Sequence, residues 1–300
     1  MKILVTGGCG FIGSHLVEEL LKYGHQLVVV DDCSANNDKF TFFDGVEYHK
    51  FSICDEQSLN KVSLGCNFCF HLAAESRLQD SINNPKRAVE VNVGGTLNVL
   101  ESCRKNNIDG LVMSSTSSIY GLSTKFPITE NTKEDCLNPY ASTKYAAELL
   151  LKNYYQLFGI KSCILRYFNV FGERAPTKGQ YALVTGIFLR QKKSNEPLTV
   201  VGDGNQERDF IYVKDVVSAN IQCMHSWESK QALRCADVYN IGFGKTIKII
   251  ELANAISKNI IFSPERLGEA KNNLSSIDKF CKTTGWVPKV NILEWIKTQI

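Results

Sequence analysis

Three hundred residues suffice for one large α/β domain or for a nucleotide-binding domain with a smaller companion. With 44% apolar and 22% charged residues the composition is that of an ordinary soluble globular protein, and a net charge of +3 spread over scattered Lys and Arg argues against a nucleic-acid partner. No apolar stretch approaches the ~18 residues of a membrane span. The first strand begins near Lys2, so no signal peptide is expected and residence in the cytosol is.

The apolar run Ile3-Leu4-Val5 predicts a strand over Lys2–Thr6, followed at once by Gly7-Gly8-Cys9-Gly10-Phe11-Ile12-Gly13. A helix near 12–23 follows, with Ile12, Leu16 and Leu20 on one face and Gly24 at its end. Further strands are expected at Gln26–Asp31, Val46–Phe51, Asn67–Leu72, Gly110–Ser115 and Lys161–Arg166, alternating with helices near 55–62, 86–105 and 141–158. Such alternation means a parallel sheet covered by helices on both faces. The expected fold is therefore α/β, a Rossmann-type doubly wound sheet over residues 1–166. Beyond Arg166 the rhythm breaks: short strands at Leu198–Val201 and Val238–Ile241 mix with loops, helices and prolines. This predicts a smaller mixed α/β substrate lobe over 167–300, interleaved with the first domain, to which segments such as 205–226 return.

The glycine spacing after the first strand is that of a seat for a dinucleotide pyrophosphate. Gly7 suits a tight turn, Gly10 lets phosphate approach bare backbone, and Gly13 lets helix and sheet pack closely. The N–H groups and positive dipole end of the helix then face the phosphates. Asp31 closes the second strand, where a carboxylate binds ribose hydroxyls and repels a 2′-phosphate; with no arginine in Asp32-Cys33-Ser34, NAD is expected rather than NADP. Tyr140 and Lys144, four apart at the start of a helical run, project from one face. A phenol has a pKa near 10, and lowering it to about 7 takes about 4 kcal/mol of preferential phenolate stabilisation. An adjacent ammonium together with a positive nicotinamide ring supplies charge of the right sign. Eleven cysteines without a secretion signal read as reduced thiols filling the core. Cys66-x-x-Cys69 has no second pair, so no metal site is expected, and Cys9 is the thiol whose oxidation would reach the phosphate loop.

Seven segments in order carry a resemblance: Thr6-Gly7-Gly8-x-Gly10-Phe11-Ile12-Gly13-Ser14-His15, His71-Leu72-Ala73-Ala74, Asn92-Val93-x-Gly95-Thr96, Ser114-Ser115-Thr116 with Tyr120-Gly121, Tyr140-x-x-x-Lys144, Arg166-Tyr167-Phe168-Asn169 and Gly202-Asp203-Gly204-x-x-x-Arg208-Asp209-Phe210. Together they resemble the extended short-chain dehydrogenase/reductase family, in its nucleotide-sugar epimerase/dehydratase branch. The likeness runs to Arg266-x-Gly268-Glu269 and Gly285-Trp286. It implies that NAD contacts Gly7, Gly10, Phe11, Ile12, Gly13, Asp31, Asp32, Ser52, Ile53, Leu72, Ala73, Ala74, Asn92, Ser114, Tyr140, Lys144 and Tyr167. It also implies that Tyr140 is the catalytic base, that Thr116, beside Ser115, hydrogen-bonds the reacting oxygen, and that Lys144 holds the nicotinamide ribose and depresses the Tyr140 pKa. Asn169, Arg208 and Arg266 match positions contacting a substrate diphosphate and nucleotide, and Glu269 a position at its ribose.

Members of the family diverge after a keto-sugar forms. Dehydratases carry Asp-Glu after the position of Thr116 and a decarboxylase keeps a Glu, whereas this chain has Ser117 and Ser118, which cannot do carboxylate acid–base work. The resemblance therefore implies inversion at C4 of a UDP-hexose of the UDP-glucose/UDP-galactose type. Epimerisation of UDP-GlcNAc or UDP-glucuronate, a 4,6-dehydratase, a keto-sugar reductase, and a non-catalytic NAD-sensing protein are the alternatives. Ser52 stands where relatives place an acid beside adenine, Glu75 where Gln is common, and Asn273 at a position limiting the C2 substituent. Relatives pair two helices per subunit, here 86–105 and 141–158, so a homodimer is expected.

Overall fold

The computed structural model describes residues 1–35, 40–76, 78–177, 183–228, 235–264 and 272–300. In chain order the first half contains β1 (Lys2–Thr6), α1 (Phe11–Lys22), β2 (Gln26–Val30), β3 (Val46–His49), α2 (Glu56–Val62) and β4 (Phe68–His71). Next come α3 (Leu78–Asn83), α4 (Pro85–Val89), α5 (Thr96–Lys105), β5 (Gly110–Thr116), α6 (Pro139–Phe158) and β6 (Ser162–Tyr167). The second half adds β7 (Asn169–Phe171), α7 (Val184–Lys193), β8 (Leu198–Val201), β9 (Glu207–Tyr212), α8 (Val213–Glu228) and β10 (Asp237–Ile241). It closes with β11 (Thr246–Lys248), α9 (Ile249–Ile256), β12 (Ile260–Ser263), α10 (Asp278–Thr284) and α11 (Ile292–Lys297). Among the described residues no helix is long and apolar enough to cross a membrane.

Seven strands form one parallel sheet in the order β3-β2-β1-β4-β5-β6-β10. Its central strands are buried on both faces, which is why they read as unbroken apolar runs rather than alternating ones. Within β1, Ile3 and Val5 face a core completed by Leu16, Val17 and Leu20 of α1 and Val216, Val217 and Met224 of α8. Leu4 points the other way, into a core with Leu59 of α2, Val99 and Leu100 of α5, and Ala147 and Leu151 of α6. Each fully buried aliphatic side chain contributes about 1.5–3 kcal/mol, so the sandwich is held from both sides.

The chain crosses between the two lobes more than once. Residues 213–228 form α8, which packs on this sheet, and β10 pairs with β6. The segment before α8 stays outside: β9 joins β7 and β11 in a second sheet. With the parallel pair β8–β12, that sheet encloses a third core of Phe171, Phe188, Phe210, Leu252 and Trp295. The single helix expected over 86–105 is instead α4 and α5 joined by a π-helical turn, Glu90–Gly95. Gly95 lies so close to Ile53 that a Cβ there would sit 2.5 Å from its Cδ1, and Thr96 Oγ1 donates to the Asn92 carbonyl at 2.6 Å. Close approach and side-chain competition for a backbone acceptor both disturb the regular ladder.

His71 ends β4 with no exposed surface, its ring nitrogens meeting the hydroxyls of Thr6 at 2.8 Å and Thr96 at 2.9 Å. Burial first, and the nearby Lys144 second, push its pKa from 6.5 down to about 3. The unfolded chain takes up a proton near pH 6.5 and the folded one does not until pH falls to about 3. Stability therefore falls on acidification through that window, by up to about 1.4 kcal/mol per pH unit. Urea unfolding followed from about pH 7 to 4 is expected to show this slope, and His71→Gln, with no ring to protonate, a shallower one.

Candidate active site

A cleft of about 460 Å³ opens at the carboxyl ends of β1 and β4, where the strand order reverses. Gly7 has φ +74°, and a Cβ on it would lie 2.5 Å from the Ala73 nitrogen; a Cβ on Gly13 would strike the Gly7 carbonyl. These two glycines let the loop fold flat between β4 and α1. No side chain caps α1, so its first N–H groups are left for a ligand at the cleft wall formed by Gly10, Phe11, Ile12 and Gly13.

The structure brings nearly all the expected nucleotide residues to this cleft. Gly7, Gly10, Phe11, Ile12, Gly13, Asp31, Asp32, Ser52, Ile53, Leu72, Ala73, Ala74, Ser114, Tyr140, Lys144 and Tyr167 line it, and Ser115 with them. Asn92 does not. Its buried amide accepts from the Glu75 N–H at 2.7 Å and donates to the Glu75 carbonyl at 3.0 Å and Thr143 Oγ1 at 2.9 Å. In this structure the amide braces the back of the cleft wall, with both of its N–H groups and one oxygen lone pair engaged within the protein. Glu75 itself lines the cleft, and nothing in the structure explains its choice over Gln.

Asp31 accepts hydrogen bonds from Cys9 N–H at 2.9 Å and Cys33 N–H at 2.8 Å, one on each oxygen. Burial pushes its carboxyl above the usual range while these two donors pull it back. Each oxygen keeps a lone pair for a further donor. Asp32 receives Arg87 Nη2 at 3.4 Å, and Arg87 also lines the cleft. Sequence reading missed this arginine, which lies 55 positions away with no motif to announce it.

The catalytic candidates stand on α6, whose start is set by Asn138 accepting from Ala141 N–H at 2.9 Å and by Pro139 in the first turn. Tyr140, Lys144 and Glu148 then fall on one face. Lys144 is only 3% exposed, and among the described residues its ammonium makes no hydrogen bond. Burial lowers its pKa from 10.5 to about 8, with the Glu148 carboxylate opposing that shift. Glu148, also missed although it repeats the four-residue step, is consumed elsewhere: Ser115 Oγ donates to it at 2.5 Å and Arg166 at 2.9 and 2.6 Å.

Loss of hydration raises the Tyr140 phenol above its ordinary value, and a hydrogen bond with Thr116 lowers it in part. The expected depression by Lys144 is not what the structure shows; in the protein alone burial outweighs every other influence on the phenol. Thr116 Oγ1 also accepts from Ser118 N–H at 3.1 Å, at the end of β5. Asn169, Arg208 and Asn273 lie away from the cleft lining, around β9. Asn169 donates to the Asp209 carbonyl at 2.8 Å and Asn273 accepts from Asp209 N–H at 2.9 Å, while Arg208 donates to the Glu207 carbonyl at 2.9 Å. Arg266 and Glu269 fall outside the described residues.

The sequence profile of the NAD dependent epimerase/dehydratase family matches residues 3–242. The chain belongs to that family. A putative UDP-glucose 4-epimerase of Methanocaldococcus jannaschii is 35% identical over 303 residues, covering 98% of this chain and 96% of the relative. The crystal structure of Thermotoga maritima UDP-glucose 4-epimerase with UDP-glucose superposes with a TM-score of 0.92 at 32% identity, covering 100% and 97% of the two chains. A UDP-N-acetylglucosamine 4-epimerase from Methanobrevibacter ruminantium, in complex with UDP-N-acetylmuramic acid, gives 0.88 at 30% identity over 100% and 99%.

NAD is the family's cofactor. The residues present fit it: an uncapped helix start at a glycine cradle, a carboxylate whose oxygens each accept one N–H among the described residues, and a buried ammonium lining the same cleft with no hydrogen bond among the described residues. That ammonium is costly when nothing meets it. Below pH 8 it is charged in both the folded and unfolded chain, and the folded state bears a penalty of about 3 kcal/mol, which vanishes as pH rises from 8 to 10.5. Lys144→Met in the ligand-free protein is therefore expected to raise the urea midpoint at neutral pH, with the gain fading towards pH 10.5, while NAD+ affinity measured by calorimetry falls.

Proposed function

We propose that this protein inverts C4 of a UDP-hexose of the UDP-glucose/UDP-galactose type. The observation that carries this reading is the neighbourhood of Tyr140 and Thr116. Ser117 and Ser118 follow Thr116 where elimination or decarboxylation chemistry would need a carboxylate, and the buried carboxylate of Glu148, on the same helix face as Tyr140, is committed to Arg166 and Ser115. The site has equipment for one proton and one hydride, which is all that inversion requires.

In this reading Tyr140, as phenolate, takes the proton of the C4 hydroxyl, and Thr116 hydrogen-bonds the same oxygen. Lys144 donates to the nicotinamide ribose, and its charge favours the phenolate. Bound NAD+ supplies the hydride acceptor at C4 and the donor for its return. The 4-keto sugar turns its other face, Tyr140 gives the proton back, and no net oxidation results. Asn169, Arg208 and Arg266 hold the diphosphate and nucleotide and Glu269 the ribose, leaving the sugar end free to rotate. Relatives and neighbours named as UDP-glucose 4-epimerases support the choice of sugar. N-acetylated UDP-hexoses are a second reading, supported by the UDP-N-acetylglucosamine neighbour and by the modest size of Asn273.

Exposed Val89, Leu97 and Leu149 on α4, α5 and α6 support pairing of two copies, and eleven free thiols support work in the reducing cytosol. Incubation with UDP-glucose, UDP-galactose, UDP-GlcNAc and UDP-glucuronate, followed by chromatography, is expected to show interconversion of the first two without loss of water or CO2. Tyr140→Phe is expected to lower kcat by roughly 10² or more. Stoichiometric loss of added NADH, or undiminished turnover by Tyr140→Phe, would refute the proposal.

A further inference from the structure

Cys9 lies in the phosphate loop and Cys33 just beyond β2, 24 residues apart in sequence. The fold brings them together with Asp31: the two sulfurs and a carboxylate oxygen all lie within 4.8 Å of one another. Cys9 is buried, whereas Cys33 is half-buried with φ +56°, a left-handed turn in which its N–H reaches Asp31. We propose that Cys9, Asp31 and Cys33 form a site for a thiophilic divalent cation of the zinc type, and that its occupation excludes the dinucleotide.

Two thiolates and a carboxylate are a donor set for Zn²⁺, whose bonds of about 2.3 Å to sulfur and about 2.0 Å to oxygen place neighbouring tetrahedral ligands roughly 3.3–3.8 Å apart. The three groups need close by only about 1 Å to reach that geometry. Metal entry is ligand exchange: both thiol protons leave to solvent, and no oxidant is required. Three protein ligands leave the fourth position to water.

The exclusion follows from Asp31. Each of its oxygens already accepts one backbone N–H, so the remaining lone pairs serve either ribose hydroxyls or a cation. This half of the proposal rests on reading Asp31 as the ribose ligand.

Co²⁺, which gives thiolate charge-transfer and intense visible bands when four-coordinate, is the probe. Titration into the full-length protein is expected to produce both band sets, and Zn²⁺ to bleach them. Cys33→Ser and Cys9→Ser are expected to abolish the bands, whereas Cys235→Ser, at a half-buried thiol elsewhere, keeps them; thermal unfolding checks that each variant is folded. NAD+ held at roughly ten times its own dissociation constant should raise the apparent Co²⁺ dissociation constant about tenfold. Absence of thiolate bands in the wild type, or their survival in the folded Cys33 and Cys9 variants, overturns the metal site. Bands that need both cysteines but ignore NAD+ overturn the exclusion and the Asp31–ribose reading with it. Calorimetry with NAD+ alone tests nucleotide binding separately.

Discussion

The carboxylate of Glu148 has no exposed surface, yet it receives Ser115 of β5 and two nitrogens of Arg166 of β6, tying the middle of α6 to two adjacent strands. Removing one member of such a pair leaves an uncompensated buried charge, at a cost of about 3–5 kcal/mol. The pair therefore fixes both the rotation and the height of α6. Arg166 is held in turn by the Tyr120 ring, 4.7 Å from its guanidinium carbon, and by Glu134 at 3.3 Å. One turn earlier on the same face, Lys144 enters the cleft with Glu148 as the carboxylate that opposes its neutralisation. Two turns earlier stands Tyr140. Two residues that line the cleft are thus positioned by a carboxylate that does not line it.

The second lobe has a comparable anchor in Asp209, also without exposed surface. Its carboxylate accepts from the N–H groups of Phe243, Gly244 and Ser275 and from the Ser275 hydroxyl, while its own backbone holds Asn169 and Asn273. Four donors make up for the cost of burying the charge. Three stretches of chain far apart in sequence converge on this side chain. The two lobes thus follow one principle, in which a buried carboxylate held by three or four donors fixes the backbone around it.

Sequence reading was most informative where chemistry and backbone geometry are local. The strand–glycine–helix opening, Asp31 at the end of β2, and Tyr140 with Lys144 at one helical step depend on residues within a few turns of one another. All of these residues line one cleft. The reading was least informative where a side chain's partner is distant. Asn92 spends its amide on Glu75 and Thr143, Arg87 reaches Asp32, and Cys9 meets Cys33; none of these pairs has a spacing that marks it. The short strands β7, β9 and β11 lie in a small sheet too brief to show a period, and β10 joins a sheet whose other strands precede it by 70 residues or more.

By itself the sequence determined the fold class and the family, because hydrophobic period, glycine spacing and residue chemistry are properties of neighbouring positions. Only the tertiary structure decided which polar groups remain available to a ligand and how they titrate. Burial and long-range hydrogen bonding set those properties: the same fold that strips water from Lys144 and Tyr140 shifts one pKa down and the other up, and it engages the Asn92 amide with Glu75 and Thr143.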